Sequence, residues 1–249
     1  MNVTAYICYT LLTCIISFIA LVCCLLFHLI TKRKFNHVSY IILAPFILGL
    51  YLLIPFCCVV KGIWSNNPEF IQLALKLGIN PYERKMCYYE LGSFYGDPFY
   101  SYKKDGNRAI EYYEKALKNH NVNEDFYPLV NLYLLKGDYD KVIKLDKDKH
   151  KSLVVFAYIL QNKYTTALKY YDSKTVSACD LYMKASLLEK IGNIKESKLV
   201  RAQADISFSE ELKFVKNVEA YKQSCQKYQS VEAYKDYIQK QRKLYGFIK

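Results

Sequence analysis

Tyr88–Lys118 reads YYELGSFYGDPFYSYKKDGNRAIEYYEKALK, and both of its halves carry apolar and small residues at helical spacing. Tyr88, Leu91, Gly92 and Tyr95 recur at one face, and so do Ala109, Tyr113 and Ala116. Between them lies a turn-rich link, Gly96–Asn107. The spacing predicts two short amphipathic helices folded back on each other. Gly92, Ala109 and Ala116 let backbones approach, while the tyrosines fill the gaps between helices. One such pair cannot bury its own apolar face, so pairs of this kind come in stacks.

Upstream, the character of the chain is different. Ala5–Ile30 is apolar without a formal charge, and as a helix it would be roughly 39 Å long. That exceeds the bilayer core of about 30 Å, so the segment spans it with some tilt. Val38–Val60 is a second apolar run, interrupted by Pro45 and Pro55; proline is tolerated in a membrane helix when neighbouring groups satisfy the freed carbonyls. Thr31–His37 is short enough to force an antiparallel hairpin. The first run lacks a positive n-region and is too long for a cleaved signal peptide. Lys32, Arg33 and Lys34 crowd the connecting loop, and residues 1–62 contain no acid. The positive-inside rule places loop 31–37 in the cytoplasm and both termini on the other side, with Lys61, Lys76, Arg84 and Lys85 pulling the opposite way. The expected location is a bacterial inner membrane, with the C-terminal part periplasmic, or lumenal in another cell.

Downstream of the membrane segments, Asn67-Pro68 and Asn80-Pro81 each open a helix, with Asn as cap and Pro in the first turn. Phe70, Leu73, Ala74 and Leu77 give the first of these an apolar face, and Gly78 closes it. Three weaker helix pairs follow. Their turns are Lys136-Gly137-Asp138-Tyr139, Asn162-Lys163-Tyr164 and Ile191-Gly192-Asn193-Ile194. The anchors Tyr139, Tyr164 and Ile194 are 25 and 30 residues apart, so some helices are clipped, and repeat boundaries after residue 176 are not set by the pattern. From Ser209 the pattern changes. Leu212, Val215, Val218 and Tyr221 share one helical spacing, and Val231, Tyr234, Tyr237 and Ile238 another. These are expected to cap the apolar face of the last repeat.

Tyr88-x2-Leu91-Gly92-x2-Tyr95 is similar to the first-helix pattern of tetratricopeptide repeats, and Ala109-x3-Tyr113-x2-Ala116 resembles the second. The link is about five residues longer than a tetratricopeptide turn, and with Lys104-Asp105-x3-Ala109 it looks like a Sel1-type repeat. The resemblance covers residues 68–206. It implies an α-solenoid with a concave groove that binds a partner segment, and it implies no chemistry. The fold class expected is all-α: an N-terminal two-helix transmembrane hairpin (1–62), an α-solenoid of degenerate helix-turn-helix repeats (63–206), then C-terminal capping helices and a basic tail (207–249). Tyr89 and Ser93 fall beside the packing face of the first repeat, toward the presumed groove, and are the candidate partner contacts.

The net charge is +12, and its lysines are dispersed, as on a solvated surface. The basic end, Lys240, Arg242, Lys243 and Lys249, reads as a tail in water, with anionic lipid headgroups as the alternative. Nucleic acid is disfavoured as a partner, because the abundant tyrosines fall at packing positions. Six of the nine cysteines lie in the apolar segments; Cys87, Cys179 and Cys225 lie beyond them, far apart. An odd count without CxxC argues against a disulfide framework or a zinc site. His28, His37, His120 and His150 are isolated, and no phosphate loop, HExxH, GxSxG or dinucleotide fingerprint occurs. The expectation is a binding protein rather than an enzyme, with no cofactor, no metal and a protein partner. The roles weighed are a scaffold for envelope complex assembly, an immunity protein neutralising a toxin, and an adaptor facing the cytoplasm.

Overall fold

The computed structural model describes residues 57–78, 81–98, 100–118, 127–146, 151–171 and 177–249, with isolated positions at 19, 22, 54 and 55. The described residues are helical and contain no strand. No helix among them is long and apolar enough to cross a membrane. The expected spans 5–30 and 38–60 and the loop 31–37 fall almost wholly outside the described residues. The chain divides into two compact units, Met1–Phe94 with Lys115–His120, and Tyr95–Glu114 with Asn121–Lys249.

In the first unit, residues 57–64 are helical and a turn leads into α1, Pro68–Lys76. Asn67 caps α1 by accepting from the Glu69 amide at 2.9 Å, and Pro68 takes the first turn, as its sequence predicts. The buried face of α1 differs from the expected one: Pro68, Ile71 and Ala74 are inside, whereas Leu73 is exposed. The cause is Gly62, which lacks the Cβ that would stand 2.6 Å from Ile71 Cγ1. Ile71 therefore docks against the backbone, and the helix turns with it. α2, Pro81–Gly96, follows, with Cys87, Leu91 and Phe94 buried.

The second unit begins at the end of α2. The link that follows is folded on itself. The Lys104 ammonium donates to the carbonyls of Asp97 and Tyr100, and the burial this requires lowers its pKa, against the pull of Asp97. Asp105 accepts from the Arg108 amide at 3.1 Å and so caps α3, Gly106–Lys118. Ala109, Tyr113 and Ala116, the positions singled out by their spacing, are all buried.

Three helix pairs come next: α4 (Tyr127–Lys136) with α5 (Tyr139–Asp146), α6 (Lys151–Leu160) with α7 (Tyr164–Leu168), and α8 (Ala178–Lys190) with α9 (Ile194–Glu211). Each pair turns in the same way. A residue with positive φ ends the first helix: Gly137 at 97°, Asn162 at 60°, Gly192 at 84°. The next amide then reaches back five residues, Asp138 to Tyr133 at 2.9 Å, Lys163 to Tyr158 at 2.8 Å and Asn193 to Leu188 at 2.8 Å. This is the Schellman closure, which satisfies carbonyls left open at a helix end and favours glycine or asparagine at the left-handed position. The second helix starts at Tyr139, Tyr164 and Ile194, the anchors of the sequence pattern. The expected clipping is visible in α7, which has 5 residues.

One core lies in the last pair, where Ala178, Leu181, Tyr182, Ala185 and Leu188 of α8 meet Val200 and Ala204 of α9. Within it, the Ser197 hydroxyl donates to the Ala185 carbonyl at 2.8 Å. The Tyr182 hydroxyl leaves the core to donate to Asp205 at 2.7 Å, and burial with this bond pushes its pKa up to about 12.

Two short helices complete the unit: α10, Val218–Gln226, and α11, Val231–Leu244. The helical spacing from Leu212 to Tyr221 suggests one continuous helix. The chain instead breaks after α9 and restarts at Val218, because Asn217 accepts from the Ala220 amide at 3.0 Å as a cap.

Candidate partner-binding surface

The two residues proposed from sequence as partner contacts both lie on α2. Tyr89 is half-buried. Ser93 is buried, and its hydroxyl donates to the Tyr89 carbonyl one turn back at 3.2 Å. The position therefore has little surface to offer a partner, since a hydroxyl turned onto its own helix is already satisfied.

The larger finding concerns the first helices of the three pairs, α4, α6 and α8. In repeats of the kind the sequence resembles, such helices line the binding groove. Here α11 lies against them, running backward along the order of the pairs. At its start, the Val231 amide donates to Ser186 Oγ of α8 at 2.9 Å, and Glu232 pairs with Lys190. One turn on, Tyr234 stacks on Phe156 of α6 with ring centroids 4.3 Å apart, and the Lys235 ammonium donates to Asn162 and to the Tyr164 hydroxyl at 2.6 and 2.9 Å. At its end, Arg242 donates through Nε to the Leu135 carbonyl of α4 at 2.8 Å and through its terminal nitrogen to the Tyr139 hydroxyl at 2.6 Å. Beyond α11, the Tyr245 hydroxyl donates to the Gly96 carbonyl at 2.9 Å, and the Tyr245 carbonyl accepts from the Gly106 amide at 2.8 Å. Phe247 lies over Gly106 so closely that a Cβ there would stand 2.2 Å from its ring.

A fourteen-residue helix is about 21 Å long, enough to cross two to three helices packed 8–10 Å apart. Its buried stripe, Val231, Tyr234, Ile238 and then Tyr245, stabilises the contact by roughly 1.5–3 kcal/mol per side chain. Desolvation raises the Tyr234 hydroxyl well above its ordinary pKa and lowers that of the Lys227 ammonium. Lys227 stands over the Tyr237 ring at 4.5 Å, which offsets part of that burial.

Two expectations are corrected by this placement. Of the two C-terminal helices expected to cap the last pair, α10 stays beside it, with Cys225 joined to Cys179 and Tyr221 stacked on Phe208; α11 goes to the first-helix face, where its Tyr and Ile stripe matches Phe156. The basic end is not wholly a tail in water, because Arg242 is tied to the turn of the first pair. The sequence shows the stripe of α11 but contains no sign of where it docks.

A third correction concerns sulfur. Cys179 and Cys225, 46 residues apart, form a disulfide with their Cα atoms 5.5 Å apart. The odd cysteine count argued against a disulfide framework. They meet because Glu211 gathers both elements: one of its oxygens accepts from the Ala178 amide at 3.0 Å, the other from the Tyr221 hydroxyl. Asp180 sits in the same place, and burial next to Glu211 raises its pKa above the usual carboxylate range. Cys87 is buried. Among the described residues no cluster of His, Cys, Asp and Glu could hold a metal ion. Where the described chain leaves the second expected span, Trp64 is 87% exposed and the Lys61 ammonium stands 4.5 Å from the Phe70 ring centroid. No family model, no curated protein and no solved structure matches this chain.

Proposed function

We propose that this chain is a membrane-anchored scaffold that displays a short α-solenoid and binds a protein partner without catalysis. The observation that carries the reading is the repetition of one helix-turn-helix unit three times with the same closing turn, joined to two long apolar segments at the N-terminus. Stacked pairs present extended surface, which suits proteins rather than small molecules. The exposed Trp64 beside Lys61 supports the anchor, since aromatic and basic side chains collect where a span meets water. The Cys179–Cys225 disulfide supports an outward-facing soluble part, because such bonds persist in oxidising compartments. The adaptor facing the cytoplasm loses ground for the same reason.

With α11 seated on α4, α6 and α8, a partner for that face must displace it at the cost of its buried stripe, so the accessible surface lies on the second helices and the loops. The test has two parts. Alkylation of unbroken cells before lysis, followed by reduction and mass tagging, should find Cys179 and Cys225 shielded as a disulfide; both as free thiols in freshly quenched cells would place the domain in the cytoplasm. Photo-crosslinking from positions spread over the soluble part, at native expression, should give one discrete protein adduct confined to one face. Adducts to no protein from any face would end the scaffold reading.

A further inference from the structure

Helical-repeat stacks need a polar outer face on their last helix, because no further pair follows to cover it. α9 breaks that rule. Its inner side, Ser197, Val200 and Ala204, is buried against α8. Its outer side carries Leu199 and Ile206, 62% and 63% exposed, with Ala202 between them. Lys195 and Glu210 continue the same stripe toward the two ends. The segment that should have capped this stripe, α11, is held elsewhere by Ser186, Phe156 and Arg242.

We infer that the outer face of α9 is the docking site for α9 of a second copy of this chain, in antiparallel register about Ala202. The stripe is self-complementary in that register alone. Leu199 and Ile206 are equidistant from the Ala202–Gln203 bond, so a two-fold axis there sets Leu199 of each copy against Ile206 of the other. Lys195 and Glu210 are equidistant from the same bond, so each lysine meets a glutamate at both ends of the contact. Ala202, the smallest side chain of the stripe, falls at the crossing, where the helices approach most closely. A parallel arrangement would oppose Lys195 to Lys195 and Glu210 to Glu210, which is repulsive at both ends. An isologous two-fold contact closes on itself, so the expected assembly is a dimer and not a filament. One helix pair buries little surface, so the contact is a weak one between free copies; two-dimensional confinement of anchored copies would raise their effective concentration.

The test uses the full-length protein in a mild non-ionic detergent, with self-association followed by sedimentation from about 0.1 to 100 µM. The wild type should dimerise as concentration rises. Leu199→Glu, at an exposed position, should weaken the dimer by more than about 30-fold with unchanged helicity. Lys195→Glu and Glu210→Lys, each creating two like-charge pairs, should weaken it by about 10-fold apiece, and the two together should restore it to within about threefold of wild type. Association through any other part of the chain would be indifferent to this charge exchange. Such indifference, a wild type that remains monomeric throughout, or a double exchange that fails to restore the dimer would overturn the proposal.

Discussion

The five residues Val-Glu-Ala-Tyr-Lys occur twice, at 218–222 and at 231–235, and the two copies have the same local structure and different fates. Each begins a helix. Each is capped by the residue before it, Asn217 accepting from the Ala220 amide and Ser230 from the Ala233 amide, both at 3.0 Å. There the likeness ends. Val218 is 39% exposed and Val231 is fully buried. Tyr221 donates to the Glu211 carboxylate at the rim of the unit, whereas Tyr234 lies between Phe156 and Tyr228 in its interior. Identical local sequence determines where a helix starts. What the helix buries depends on the surface that its remaining residues, Tyr237, Ile238 and Arg242 in the second copy, are able to match.

The sharpest way to break this comparison is to truncate the two tyrosines. Tyr234→Ala should cost about 3–5 kcal/mol in a denaturant or thermal unfolding measurement, because a buried aromatic leaves a cavity. Tyr221→Ala should cost about 1–2 kcal/mol, the loss of one hydrogen bond to a charged acceptor and part of a stacked ring. Equal costs would mean that α11 is no better docked than α10. The caps should behave in the opposite way. Asn217→Ala and Ser230→Ala should each cost about 1 kcal/mol, because the backbone amides they satisfy are equivalent in the two helices. A large asymmetry between the caps, read by hydrogen exchange in the first turn of each helix, would show that the tertiary setting reaches into helix initiation.

The smallest effect expected concerns Asp180, which shares with Tyr221 the neighbourhood of Glu211. Its folded pKa lies above the ordinary carboxylate value through burial and then through Glu211. The folded state therefore holds this proton more tightly than the unfolded state does. The penalty is complete at pH values above the raised folded pKa and fades as pH falls toward the unfolded value. Asp180→Asn should accordingly raise the thermal midpoint slightly at neutral pH, with the gain shrinking on acidification through the carboxylate range. A gain that grows on acidification would reverse the assignment.

The three Schellman turns stand at the legible end. Gly137 and Gly192 occupy left-handed positions that other residues avoid, Asn162 is the usual substitute, and an amphipathic run flanks each of them. These signals act over about ten residues and are written in the sequence. The apolar positions of α2 and α3, Leu91, Tyr95, Ala109, Tyr113 and Ala116, were legible for the same reason and are buried. The face of α1 was misread because Gly62, outside the helix, decides which side it buries. Ser93 was placed toward a groove by angular position alone, although its hydroxyl could be satisfied on its own helix.

The sequence by itself determined the helices of the described residues and the turns that close the three pairs. Those features depend on backbone hydrogen bonding and on hydrophobic spacing within a few turns, where the interacting groups are neighbours along the chain. Only the tertiary structure decided that Cys179 meets Cys225, that Arg242 reaches Leu135, and that α11 fills the face of α4, α6 and α8 while the outer face of α9 stays open. These contacts join residues dozens to more than a hundred positions apart. An amphipathic stripe announces that it will be buried, but its partner is chosen by shape and hydrogen-bond match among all the surfaces the folded chain presents.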